Sequence, residues 1–178
     1  MNKNNTKMPS QEELSILMEH YQNGRFDEAE RSARSLALQY PYDNFSWKML
    51  SAVLKQTDRK HDAVFAGQKA VEINPKDVAA HNNLGNTLKE LGRLEEAEAS
   101  YKQAIALKHD FSEPHYNLGV TLKELGRLEE AEASYRQAIV LKPDYAKAHN
   151  NLGVALQELC RLEEAEASYR QAIKLESN

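Results

Sequence analysis

The sequence predicts an all-α chain, a solenoid of five tandem helix–turn–helix repeats, on three observations. First, the stretch AHNNLGNTLKELGRLEEAEASYKQAIAL (80–107) returns nearly letter for letter as PHYNLGVTLKELGRLEEAEASYRQAIVL (114–141) and as AHNNLGVALQELCRLEEAEASYRQAIKL (148–175). The offset is 34 residues each time, from Leu84 to Leu118 to Leu152, and a fixed period of that size marks a repeat array. Second, each copy carries two apolar stripes at helical spacing, which a single unit cannot bury alone. Third, helix punctuation recurs in frame. Gly92 and Gly126 stand where the first helix ends, a place for positive φ that is cheap only for glycine. Glu95 and Glu96, then Glu129 and Glu130, open the second helix, where negative charge suits the N-terminus. Pro75 and Pro143 stop that helix from continuing.

Residues 1–9 are polar and expected to be disordered, and residues 10–178 are expected to form one domain with repeats at 10–43, 44–77, 78–111, 112–145 and 146–178. The first repeat keeps Gly24, Ala29 and Pro41, and its GRFDEAE parallels the later GRLEEAE. It places Leu17 where later repeats have glycine and Ala33 where they have tyrosine. An atypical first repeat is expected, because one of its faces meets solvent. The second keeps Trp47, Leu50, Ala63, Ala70 and Pro75, with Ser51 at the glycine place and Gly67 at the tyrosine place. These read as paired size changes within one packing layer. First helices are expected near 46–56, 79–91, 113–125 and 147–159, and second helices near 61–73, 95–108, 129–142 and 163–176. Asp144 is placed to cap the first helix of the last repeat. Cys160 replaces the turn glycine there; if that turn keeps positive φ, the substitution costs on the order of 1 kcal/mol.

Composition narrows the function classes. The chain is 41% apolar and 28% charged with net charge −4, which argues against a nucleic-acid binder, since such proteins usually show a basic excess on one face. No apolar run approaches the roughly 20 residues that span a bilayer, and the polar N-terminus lacks the apolar core of a secretory signal. One cysteine excludes an internal disulfide framework and fits a reducing compartment. The expectation is a cytoplasmic protein that binds neither nucleic acid nor membrane.

Catalysis needs convergent groups, and a repeat supplies ladders. His81, His115 and His149 recur once per hairpin, so neighbours stand roughly 8–10 Å apart or further, too far to share a zinc ion with ligand bonds near 2 Å. They share the frame position of Trp47 and are expected to pack between helices. The LEEAE glutamates read as a solvated helix face. There is no glycine-rich phosphate loop and no nucleophile with an orienting base. No metal, no cofactor and no enzymatic activity are expected of this segment.

The spacing Leu84-Gly85, Ala97, Tyr101, Ala104 resembles the tetratricopeptide repeat pattern. So do Leu118-Gly119, Ala131, Tyr135, Ala138 and Pro143, and Leu152-Gly153, Ala165, Tyr169 and Ala172. In that packing the first-helix glycine is expected to face second-helix alanines, so that backbones approach closely. The resemblance implies a right-handed superhelix with first helices lining a concave groove, and a partner that is a protein or peptide.

Two readings of the groove follow, with two further classes of function beside them. Asn83, Asn117 and Asn151 form a ladder similar to the asparagine ladder in the repeat region of O-linked N-acetylglucosamine transferase, whose repeats GNTLKELG, ASYKQAI and LKPDYAKAHNNLG resemble in style. Each amide offers one acceptor and two donors to a peptide backbone. The ladder fails at Met49 and Ser15, and the plainer alternative is polar surface. A carboxylate clamp would use Asn82, Asn86, Asn117, Lys147 and Asn151, but it lacks cations at Asn82 and Asn151 and so loses most of its charge-assisted bonds. The competing class is a substrate-recruiting accessory region of a larger enzyme, a transferase. A third reading is end-to-end self-association through Leu156, Leu159, Leu162 and Ile173, expected to lie uncovered on the last hairpin, where a longer parent chain would otherwise cover them.

Overall fold

The computed structural model describes residues 7–177, and these form ten α-helices with no strand. The helices are α1 (Gln11–Gln22), α2 (Phe26–Gln39), α3 (Asn44–Gln56), α4 (Lys60–Ile73), α5 (Val78–Glu90), α6 (Leu94–Leu107), α7 (Ser112–Glu124), α8 (Leu128–Leu141), α9 (Ala146–Glu158) and α10 (Leu162–Glu176). Most of the expected tail lies outside the described residues, and Lys7, Met8 and Pro9 have no regular structure. The chain forms two compact units, Met1–Leu91 with α1–α5 and Gly92–Asn178 with α6–α10.

In the first unit, a serine that accepts from Glu13 N starts α1, and the Glu13 carboxylate accepts from Ser10 N in return, a complete capping box. Asp43 and Asp77 cap α3 and α5 by accepting from Ser46 N and Ala80 N. The core gathers Leu17, Ala29, Ala33, Leu36, Leu50 and Leu54 among others. The paired size change is borne out in contact: a Cβ built on Gly67 would stand 3.2 Å from Ser51 Oγ, and that hydroxyl donates to the Ala63 carbonyl at 2.7 Å. Leu17 and Ala33, at the same two places in the first repeat, are both fully buried.

In the second unit the glycines face tyrosine, not alanine. A Cβ on Gly119 would come within 2.7 Å of the Tyr135 ring, and one on Gly153 within 2.7 Å of Tyr169. The alanines Ala131, Ala138, Ala165 and Ala172 are buried around these contacts. The bulky ring, rather than a close backbone pair, is what excludes a side chain at the glycine. Asp144 does not cap α9. The cap residue is Tyr145, with no side-chain hydrogen bond, because the frame slot of Asp43 and Asp77 falls on Tyr145, one residue downstream.

The turns between paired helices share one geometry. The amides of Arg25, Arg59, Arg127 and Arg161 donate to the carbonyls of His20, Leu54, Leu122 and Leu156 at 2.8–2.9 Å. That six-residue closure puts the preceding residue in the left-handed region: Gly24, Gly126, Asp58 (φ 58°) and Cys160 (φ 59°), with Gly92 at the matching place. The turn at Cys160 thus keeps positive φ, the condition under which its side chain is strained, and Asp58 shares that strain.

Candidate functional site

In the first unit, side chains of α1, α3 and α5 line a hollow: Tyr21, Ser51, Lys55, Gln56, Asn83 and Thr87. Asn83 is exposed at its edge, and its own carbonyl accepts from Thr87 Oγ1 at 3.1 Å. Lys55 pairs with Glu90 at 2.7 Å across α3 and α5. Asn82 is only 3% exposed and Asn86 half-buried; neither is free.

In the second unit, Asn117 is 9% exposed and is also engaged. Asn151 is half-buried and donates to Tyr116 Oη at 3.1 Å. Tyr116 lies against Tyr145 with ring centroids 4.9 Å apart and near Tyr135 at 6.1 Å. Lys142 Nζ stands 5.1 Å over the Tyr145 ring. Burial pushes the Tyr145 phenol up to about 12, and it pushes Tyr116 and Tyr135 up as well. All three are neutral donors at ordinary pH. Tyr135 Oη is buried without a well-formed hydrogen bond. Lys147 is exposed at the start of α9, and Lys123 pairs with Glu158 at 3.4 Å. The three ladder asparagines therefore differ: one exposed, one buried, one half-buried.

Sequence reasoning missed the phenol cluster, because Tyr116 and Tyr145 are far apart along the chain and neither repeats in frame. It also misread part of LEEAE. Glu95, Glu129 and Glu163 are exposed, but Glu98 and Glu132 are largely covered and tie hairpins together. Arg127 Nη1 reaches Glu98 at 2.7 Å and Arg161 Nη1 reaches Glu132 at 2.6 Å. Arg59 reaches Glu30 likewise in the first unit. The recurrence of arginine after each turn was the available signal.

The histidine ladder is structural. Nε2 of His81, His115 and His149 donates to the carbonyls of Pro75, His109 and Pro143, each at 3.0 Å, as Trp47 Nε1 does to Pro41 at 3.1 Å. Each ring thus pins the loop that enters its own hairpin. Among the described residues, no three His, Cys, Asp or Glu side chains are placed to hold a metal ion, and no helix is long and apolar enough to cross a membrane.

On the last hairpin, Leu162 and Ile173 are 66% and 64% exposed. Leu156 was expected beside them but is fully buried, because its slot points into the hairpin's own core like Leu54, Leu88 and Leu122. Leu159 is half-buried.

Tandem helical hairpins with in-frame positive-φ turns define an α-helical repeat protein. Family models described as tetratricopeptide repeats match residues 66–99, 85–126, 121–159 and 146–178, and the chain belongs to that family. Comparison with curated protein sequences returns no match. Among solved structures it is similar to MamA, at 22% identity over 91% of this chain and 95% of that one, with a TM-score of 0.86. MamA from Desulfovibrio magneticus RS-1 aligns at 19% identity, 96% and 98% coverage and a TM-score of 0.88. YrrB, a TPR protein with an unusual peptide-binding site, aligns at 17% identity, 96% and 88% coverage and a TM-score of 0.80. At these identities the likeness is one of fold.

Proposed function

We propose that this chain is a non-catalytic scaffold whose first-helix faces hold an extended segment of a protein or peptide partner. The observation that carries the reading is the first-unit hollow, where exposed Asn83 stands at the edge with Lys55, Gln56 and Tyr21. A free amide there can pair with both the C=O and the N–H of a peptide unit, whatever its side chain. In the second unit Asn151, Tyr116 and Tyr145 supply an amide and two rigid amphipathic rings, the residue types that give contact area at low entropic cost. Exposed Lys147 suits an acidic side chain or terminal carboxylate. Asn82 and Asn117, being buried, support these faces from beneath. Family membership and the unusual peptide-binding site of YrrB favour an interaction role. Recruiting substrates to an attached transferase would use the same amides, and only the sequence likeness of the ladder favours it.

The test is to titrate a library of unrelated extended peptides against the wild type, Asn83→Ala and Asn151→Ala, with circular dichroism as the fold control. A net hydrogen bond contributes about 0.5–1.5 kcal/mol. Each substitution should therefore weaken binding by about 2- to 10-fold, across sequences rather than for one. Equal binding by all three proteins, or none by the wild type, overturns the proposal.

A further inference from the structure

The two ends of the described chain carry complementary halves of its own repeat interface, and we propose that copies of this protein associate head to tail through them. The template is internal. Arg136, Ile139 and Val140 of α8 line one groove with His149 and Leu152 of α9 and with Ala167, Ser168 and Gln171 of α10. Four repeats upstream, the same frame slots are Glu13, Ile16, Arg31, Ser32 and Ser35. These five residues, with Leu36, line an open groove on the outer side of α1 and α2. It is the receiving half of a repeat interface, and no other described residue fills it.

The apolar slots agree with this. Leu50, Leu84, Leu118 and Leu152 are buried, whereas Ile16 in the same slot is 45% exposed. Moving α8 one repeat on gives the other half: Arg170, Ile173 and Lys174 stand in the slots of Arg136, Ile139 and Val140, and Ile173 is exposed where Ile139 is half-buried.

Charge fixes the polarity. Inside the chain, the contact between the second unit's last two hairpins carries two ion pairs on its second-helix side, Arg161–Glu132 at 2.6 Å and Arg136–Glu164 at 3.0 Å, beside Lys123–Glu158 between the first helices. Their equivalents across two copies are Arg25 with Glu166 and Arg170 with Glu28. Among the described residues each of these four side chains pairs within its own hairpin: Arg25–Glu19 at 2.7 Å, Arg170–Glu166 at 2.6 Å, and Glu28–Arg31 at 3.8 Å. Lys174 would also approach Glu13. A symmetric pairing of two last hairpins offers Leu162 and Ile173 to each other but sets Arg170 and Lys174 against their own copies, which like-charge repulsion disfavours. A heterologous contact between the two ends sets Arg25, Arg170 and Lys174 against carboxylates instead.

The experiment measures molar mass against concentration by analytical ultracentrifugation for the wild type, Ile16→Asp, Ile173→Asp and an equimolar mixture of the two variants. Both substituted side chains are exposed, and circular dichroism checks folding. The wild type should grow in mass with concentration, and each variant alone should stay monomeric. The mixture should form a one-to-one dimer and stop, because one variant keeps only its last-hairpin face and the other only its first. Arg25→Glu should weaken association about tenfold, and adding Glu166→Arg should restore it. A wild type that stays monomeric at the highest concentration, or Ile16→Asp dimerising by itself, overturns the proposal.

Discussion

At the scale of single residues, the turn geometry sets the sharpest expectations. Cys160 holds φ at 59° because the amide after it must close onto the Leu156 carbonyl. A side chain in the left-handed region costs about 1–2 kcal/mol, and glycine returns part of that through its freer unfolded chain. Cys160→Gly should therefore raise stability by about 1 kcal/mol in urea denaturation, and Gly126→Ala should lower it by a similar amount; a Cys160→Gly protein less stable than wild type would contradict this. Gly119 and Gly153 test a different cause. Each faces a tyrosine ring at 2.7 Å from a would-be Cβ, but Tyr135 is fully buried and Tyr169 half-buried. Overpacking a fixed ring costs about 1–3 kcal/mol. Gly119→Ala should thus destabilise by that amount and Gly153→Ala by clearly less, since Tyr169 can swing toward solvent. Equal losses would mean that the rings do not set the penalty.

At the scale of elements, the arginine–glutamate contacts between second helices decide how hairpins couple. Glu98 is hydrogen-bonded by Lys102 and, less strongly, by Arg127. Together they outweigh burial and hold its carboxyl below the ordinary carboxylate value of 4.5. The folded state thus takes up this proton less readily than the unfolded chain. The contribution is complete above about pH 4.5 and is lost as pH falls below it through the folded value. The stability gap between wild type and Glu98→Gln should be widest near neutrality and close as pH falls toward 3. A double-mutant cycle of Glu98 with Arg127 should give about 1 kcal/mol, at the upper end for partly exposed pairs, and a pH-independent gap would remove the carboxylate from the account. The eight helices whose limits the sequence set, α3–α10, lie within two residues of those limits at both ends, because helix starts, glycine turns and prolines are local signals. Reading Asp144 as a cap failed by one slot, since capping depends on register rather than on the presence of an acid nearby. Reading Glu98 and Glu132 as solvated failed because their partners lie on the next hairpin, where only the fold brings them close.

At the scale of the whole molecule, amplification of one hairpin explains both what the sequence revealed and what it hid. Family models match from residue 66 onward, while the first hairpin and most of the second have drifted in letters. They keep their packing through compensating volumes: Ser51 against Gly67, and Leu17 with Ala33. The ladder of asparagines was legible, but not its unevenness, because exposure at Asn83, Asn117 and Asn151 depends on what each hairpin sets beside it. Repetition also means that a surface left open at one end is the copy of a surface closed inside. The proposed association uses that property, and it should weaken in high salt, because rim ion pairs are screened over about 10 Å at 0.1 M ionic strength.

The most direct measurement of the binding role follows the side-chain amide signals of Asn83 and Asn151 in a nitrogen–proton NMR spectrum during titration with unrelated extended peptides. Backbone recognition on the first-helix faces predicts that both signals shift with every peptide that binds, together with amides of α3, α5, α7 and α9. Shifts confined to the second helices, for example around exposed Leu38 and Phe65, with both asparagines unmoved, would contradict it.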